Sequence, residues 1–586
     1  MPPLRSYPWW LPLIAVLATR PAAADDIIKA HGQYSQSYLS DWSTLPTGKL
    51  LGRMDLGQVS FDVVHGEAVR KTFDHQASVE IRDLAYRVSW QNDYQKYANA
   101  LFHIREAENV VIENLAIIQD DADYRSSSAL LIEDSGNVVI RNVYVAGSTQ
   151  SFHIRVEGCE NVLIERIEIA GLDYGPLGVR TGGGIRVDNG KHGPPNTPHP
   201  RPLKWLVIQH VYGHDYLDVP SDAGFNHDGI LAQSVADGLL FNSYFENWRK
   251  GNSAIDVSHR LTSPDYQNHV FRVERNIVRD SYTVKVPDIS TPSNTIVFAN
   301  NVYVNTFLVS YNTGYDVHRL HETSVIHPDV IPFYKLWSTT GDTVHHFRNG
   351  LVVVPEVTLS TVYFNSSTNP DPPSLLDPDY MVYVTRTPKS WFRDYFADFD
   401  SWQAAGFDKH SLVAPPVECF TDPDHDDFSL LPGCPAVGRA SSEYLTPADP
   451  AMRVDRDFRG VPRGANPSCG AFEVPPTPSP DDGGGDAGAG GGAGDAGADD
   501  GSAGVADADS GVVVEAGTGG SGTGEPDASS ADSAAGFGIT GSSQPPPSSD
   551  GGCGCRTGPS PLDGPLPISV FLGAALLLLR PKRDAG

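Results

Sequence analysis

Apolar residues along this chain recur in short β-branched runs, not at helical spacing. Three runs repeat almost residue for residue: Glu108-Asn109-Val110-Val111-Ile112-Glu113-Asn114-Leu115, Gly136-Asn137-Val138-Val139-Ile140-Arg141-Asn142-Val143 and Glu160-Asn161-Val162-Leu163-Ile164-Glu165-Arg166-Ile167, spaced 28 and 24 residues apart. Weaker copies follow at Trp205-Leu206-Val207-Ile208, Gly238-Leu239-Leu240-Phe241, His269-Val270-Phe271-Arg272-Val273 and Thr295-Ile296-Val297-Phe298. Between copies lies a second strand type, centred on Ile104, Ile132, Ile154, Ile185, Ile230, Ile255 and Val284. Polar or Asn-containing turns bound each run, which is the pattern of strands. A coil of about 24 to 31 residues with one inward apolar set per strand is a rung of a parallel β-helix. Asn114, Asn142, Asn300 and Asn301 are expected at its corners, because Asn tolerates the left-handed region. A β-sandwich would need antiparallel hairpin turns at shorter intervals, and the sequence lacks them.

The pattern changes at both ends. Arg5, the apolar stretch 9–18 and Ala22-Ala23-Ala24 before Asp25 form a secretory signal over residues 1–24. That stretch is about half the roughly 20 residues a spanning helix needs. Residues 25–474 are expected to form the β-helix and its cap. Residues 475–552 are almost entirely Gly, Ala, Asp, Ser and Pro, too poor in large apolar side chains to offset the entropy of ordering, and read as a disordered linker. Residues 553–586 hold Cys553-Gly554-Cys555, an apolar run 567–579 and the basic Arg580-Pro581-Lys582-Arg583. This order resembles the C-terminal sorting signals of myxobacterial surface proteins. The resemblance implies processing near the cysteines and anchoring through Cys553 and Cys555, so the protein is expected outside the cell, held at the cell surface or outer membrane. A plain stop-transfer anchor would place it likewise.

Charge narrows the functional classes. With 43 Lys+Arg against 72 Asp+Glu the formal net charge is -29, the wrong sign for binding nucleic acid through its phosphates. Thirteen of the acidic residues lie between Asp481 and Asp550, so the folded part is far less acidic than the whole. Four cysteines fall in that part: Cys159, Cys419, Cys434 and Cys469. Cys419 and Cys434 either close a 15-residue loop as a disulfide, which suits an exported protein, or stay as two buried thiols.

Taken together, the rungs resemble the right-handed parallel β-helix superfamily of pectate lyases, polygalacturonases, chondroitinase-type lyases and alginate epimerases. The closing segment, with Trp402-Gln403, Gly406, Asp408, Asp427-Phe428-Ser429-Leu430, Cys434-Pro435-Ala436-Val437, Asp457-Phe458-Arg459-Gly460 and Gly470-Ala471-Phe472-Glu473, resembles the C-terminal cap of bacterial β-helix surface proteins. The resemblance runs from about residue 50 to residue 474. It specifies fold far better than reaction.

Candidate chemistry follows from the alternation of the second strand type. If its central apolar residues point inward, their neighbours form an outward column Arg105, Glu133, Arg155, Arg186, Leu231, Asp256, Lys285, with members about 4.8 Å apart. His103 and His153 flank it on one side, and Glu157, Asp188 and Ser258 on the other. Cations so spaced suit an acidic polysaccharide, with Arg105, Arg155, Arg186, His227 and His259 as its partners. Alternating charges also stabilise a sheet with no ligand at all. The densest cluster is Asn226-His227-Asp228-Gly229 with Lys250, Asp256, His259, Lys285 and Asp288. In uronate lyases of this fold, Ca²⁺ masks the substrate carboxylate while Lys or Arg removes the adjacent proton. The resemblance then implies Asp228, Asp256 and Asp288 as Ca²⁺ ligands and Lys285 or Lys250 as base, with Asp228 and Asp256 in the catalytic group.

Asn226-His227-Asp228-Gly229 also looks like the Asn-Thr-Asp-Gly of polygalacturonases, although the adjacent Asp-Asp pair and the Gly-His-Gly of that family are missing. So are the Asp-Pro-His-Asp of alginate epimerases and the Arg-x-Pro-x-x-Arg of pectate lyases. Three readings stand at this point: a uronate lyase, a polygalacturonase-like hydrolase, and a glycan-binding adhesin or structural surface protein without turnover. The insertion 190–203 is expected either to wall the groove or to be a Pro-stiffened turn. The acidic turn 422–427 is discounted as a metal site because its carboxylates are adjacent in sequence.

Overall fold

Two parallel sheets, one of eleven strands and one of nineteen, wind together as a β-solenoid in the computed structural model, which describes most of residues 54–474. Stretches outside the described residues include 190–199, 217–227, 249–252, 259–268 and 287–288, as well as everything before 54 and after 474.

One coil illustrates the rest. Ala100–Arg105 belongs to the eleven-stranded sheet; Glu106 then turns the chain with φ 53°, and Asn109–Gln119 enters the larger sheet. Asn114, at φ 55°, bends that strand in the middle, so one coil supplies three straight segments. Equivalent left-handed corners recur at Asn142, Arg166, His210, Asn242, Arg275, Asn300, His321, Asn349 and Tyr380. Asn301 is not one of them. Its buried amide instead bonds sideways, accepting from the Asn276 amide at 3.0 Å and donating to Val273 O at 2.8 Å.

The inward apolar sets interlock as alternation requires. Val138, Ile140, Val143 and Val145 stack between Val110, Ile112, Leu115, Ile117 and Val162, Ile164, Ile167, Ile169, all within one buried core. Each such side chain contributes about 1.5–3 kcal/mol by leaving water. Asparagine amides tie the first rungs along the axis: Asn161 donates to Asn137 and Asn137 to Asn109, each at 3.0 Å. An amide both donates and accepts, so one Asn per rung propagates such a chain without a break.

An aromatic group including Trp391, Phe392 and Trp402 joins the C-terminal end of the core, with Trp402 stacked 4.2 Å from Phe407. Trp402 sits in the short helix Phe399–Ala404, and its indole N–H donates to buried Asp408 at 2.7 Å. The chain from Cys419 to Phe472 then runs back along the flank. Cys419, Phe420, Phe428, Leu430, Cys434 and Ala471 cover Tyr244, Ile277, Val302, Leu351 and Val382 on the outside of the large sheet. Cys419 and Cys434 are joined by a disulfide with Cα atoms 4.7 Å apart. Cys159 and Cys469 are buried thiols.

The acidic turn at 422–427 serves this flank: Asp426 accepts from Arg279 Nη2 at 2.5 Å and from the Tyr244 hydroxyl at 3.0 Å. At the described end of the insertion, Arg201 bonds Glu108 through both Nη atoms, at 2.5 and 3.1 Å. Leu203 N–H donates to Asn189 Oδ1 at 2.8 Å.

Candidate active site

The eleven-stranded sheet carries polar side chains on its outer face because each central apolar residue turns inward. Ile154, Ile185, Ile230, Ile255 and Val284 all lie in the core. Hydrogen-bonded register then puts Arg155 beside Arg186, Arg186 beside Leu231, Leu231 beside Asp256, and Asp256 beside Lys285.

The upper part of the expected column shifts. Arg155 pairs with Leu131, while Glu133 pairs with Glu157 and Arg105 with Glu133. Arg105 therefore belongs two residues over, in the column of Asp74, Glu133, Glu157 and Asp188. The physical reason is that Leu130 and Ile132 are both buried core residues. Either can stack on Ile154 without changing which face points out, and Leu130 does so.

The arginines of this face are bonded within the chain. Arg155 Nη2 lies 2.6 Å from Glu157 Oε1, and Arg186 Nη2 is 2.5 Å from Asp188 Oδ2 and 3.2 Å from Gln233 Oε1. Arg105, near the rim and half exposed, reaches Asp74 at 3.3 Å. Held this way, Arg155 and Arg186 order a buried polar layer, a different arrangement from a row of cations open to a polyanion.

Asp256 and Lys285 do come together, and Asp228 lies near enough for both charges to act on it. Lys285 Nζ lies 2.9 Å from Asp256 Oδ2, with Asp256 only 1% exposed. Asp228 is fully buried just before the strand Ile230–Gln233; its Oδ1 accepts from Ser253 N–H at 2.9 Å, and its Oδ2 meets no hydrogen-bond partner among the described residues. Gly229 follows it for a packing reason, since a Cβ there would meet Ala254 O at 2.6 Å and the Phe245 ring at 2.7 Å. Burial, and next the charge of Asp256, push the Asp228 carboxyl up to about 7, against the pull of Lys285 and the Ser253 bonds. Lys285, one of the two expected bases, is engaged in that ion pair with Asp256.

Ca²⁺ fits the described part of this cluster poorly. It takes six to eight oxygens, whereas here one carboxylate faces an ammonium and the other accepts from an amide. Asp288, the third expected ligand, lies outside the described residues, as do Lys250, His227, His259, Cys553 and Cys555.

Among the described residues, the groups close enough to share one metal ion are on the other sheet. Asp316, His318 and His346 offer ligand atoms within 4.8 Å of one another. Sequence reasoning missed them because the strand Thr313–Leu320 carries His318 and Arg319 where the preceding rung carries Val297 and Phe298, so the apolar signal of the repeat is lost there. The legible signal was Asp-x-His, which puts both side chains on one face of a strand.

No family model and no curated protein matches the chain. Among solved structures, a mannuronic acid specific polysaccharide family 6 lyase from human gut microbiota aligns with 67% of this chain and 92% of its own, at 11% identity and a TM-score of 0.22. An overlap this loose carries no residue of that enzyme onto this chain.

Proposed function

We propose that the protein is exported, tethered at the cell surface through residues 553–586, and that its solenoid binds and cleaves an acidic polysaccharide through Asp228, Asp256 and Lys285. The observation that supports this is the second carboxylate. A structural ion pair needs only Asp256 and Lys285; burying Asp228 beside them costs stability, and such unfavourable carboxyls cluster at sites of acid–base chemistry.

On the β-elimination reading, Lys285 pairs with the uronate carboxylate and masks it, which acidifies the neighbouring C–H. Asp228, protonated in part near neutral pH, gives its proton to the departing glycosidic oxygen. Lys250 is the base, and no step passes through Ca²⁺. The raised Asp228 carboxyl near a second carboxylate, Asp256, favours a second reading, hydrolysis, with Asp228 as general acid and Asp256 activating water.

The test mixes the purified protein with acidic polysaccharides and follows both ultraviolet absorbance of unsaturated uronates and new reducing ends. Absorbance that falls by about 10²–10⁴-fold in Asp228→Asn, the usual worth of a general acid, supports elimination. Reducing ends without absorbance support hydrolysis. Binding without either product makes the protein an adhesin and removes the catalytic proposal.

A further inference from the structure

The outer face of the nineteen-stranded sheet carries a second ionisable cluster, unconnected with the proposed chemistry. Thr313–Leu320, His345–Arg348 and Leu376–Asp379 are parallel neighbours, with His318 beside His346 and His346 beside Asp377. Val317 and Phe347 point into the core, so alternation sends His318 and His346 outward, and Asp316 shares the face of His318. His318 Nε2 lies 2.9 Å from Asp316 Oδ2, and His346 Nε2 lies 3.2 Å from Asp316 Oδ1. The two imidazoles stack 4.5 Å apart at 11°.

We infer that Asp316, His318 and His346 bind a divalent ion of the zinc class, with Asp377 as a positioning residue. Two imidazole nitrogens and one carboxylate oxygen are a donor set for Zn²⁺ or a neighbouring transition ion, and a poor one for Ca²⁺. Asp377 Oδ2 lies 2.7 Å from His346 Nδ1. That contact fixes the orientation of the His346 ring and aims Nε2 at Asp316, the orienting role that partners of metal-ligating His residues play. His318 adds a further sign: its Nδ1 is shielded from water and makes no hydrogen bond among the described residues, while its Nε2 meets the Asp316 carboxylate at 2.9 Å. Asp316 is half exposed, which gives an ion a way in. Water would complete the shell. The ion would staple two successive rungs through side chains that otherwise share one carboxylate.

The test titrates metal-free full-length protein with ZnCl₂ by calorimetry and with CoCl₂ by visible absorption. One saturable site is expected, undisturbed by CaCl₂, with Zn²⁺ raising the melting temperature. Asp377→Asn, which leaves all three ligands in place, should weaken Zn²⁺ binding by about 10–100-fold, the usual effect of removing an orienting partner. His318→Ala with His346→Ala should abolish the site, and circular dichroism checks that this variant folds. Absence of saturable binding overturns the inference, as does a site that survives the double substitution or is indifferent to Asp377→Asn. Polysaccharide cleavage is not a readout here, so the two proposals fail separately.

Discussion

Asp228 shows at the level of one residue how a buried carboxyl ties stability to pH. Its folded value of about 7 lies above the ordinary carboxylate range, so between about pH 4 and pH 7 the folded state holds a proton that the unfolded state has released. Folding stability from this group therefore falls as pH rises through that window and levels off above it. Asp228→Asn keeps the shape and removes the charge. It should raise the melting temperature at pH 8 by a few degrees and change it little at pH 4, as differential scanning calorimetry at the two values would show. An equal effect at both would mean that Asp228 keeps an ordinary carboxyl in the fold. The proximity of Asp256 and Lys285 was legible in sequence because Ile255 and Val284 mark their strands without ambiguity. The place of Arg105 was not, because period-two alternation sets which face a residue occupies and leaves open a slip of two along the strand. Leu130 and Ile132 are equivalent to that rule, and only three-dimensional packing chooses between them.

Among elements, the corners hold the rungs in step. Asn142 sits at φ 56° and its amide bonds Asn114 on the preceding rung at 2.5 Å. A residue with a Cβ pays roughly 1–2 kcal/mol in the left-handed region, and glycine escapes most of that cost. Asn142→Ala should lower stability by about 1–2 kcal/mol and Asn142→Gly by less, measured by denaturant unfolding. Equal losses would place the weight on the amide bond instead. Several corners carry no such signature: Arg166, Arg275, His321 and Tyr380 adopt the same conformation. Their rungs enforce it through the hydrogen bonds on either side, so residue type under-reports the repeat. Later rungs faded from view for a related cause. Arg319 lies inside the solenoid, its guanidinium 4.1 Å from the centre of the Phe298 ring and its Nη1 3.0 Å from Glu322, where an apolar residue was the expected signal.

At the scale of the whole molecule, the segment that returns along the flank covers apolar surface on the outside of the large sheet. Phe420, Phe428, Leu430 and Phe472 seal an apolar strip that includes Tyr244, Ile277, Val302, Leu351 and Val382. Contiguous apolar surface of that kind drives association when exposed. A chain ending at Ala414 is therefore expected to self-associate, seen as early elution in size-exclusion chromatography, while the chain ending at Val474 elutes as a discrete species. Identical elution would mean that the strip is covered by something else. The sequence motifs of this segment were readable, but its course was not, since nothing local in Asp426 announces Arg279 or Tyr244 as its partners.

The returning segment also decides how the solenoid would bear load. Its last described residues are held sideways: Gly470 N–H donates to Asn349 O at 2.7 Å, Ala471 N–H to Thr323 Oγ1 at 2.8 Å, and Arg463 Nη2 to Asn300 Oδ1 at 2.7 Å. Tension arriving through the chain beyond Val474 meets these bonds and the apolar seam together. It enters as shear across several rungs at once, a loading that resists rupture better than peeling coils away singly from an end.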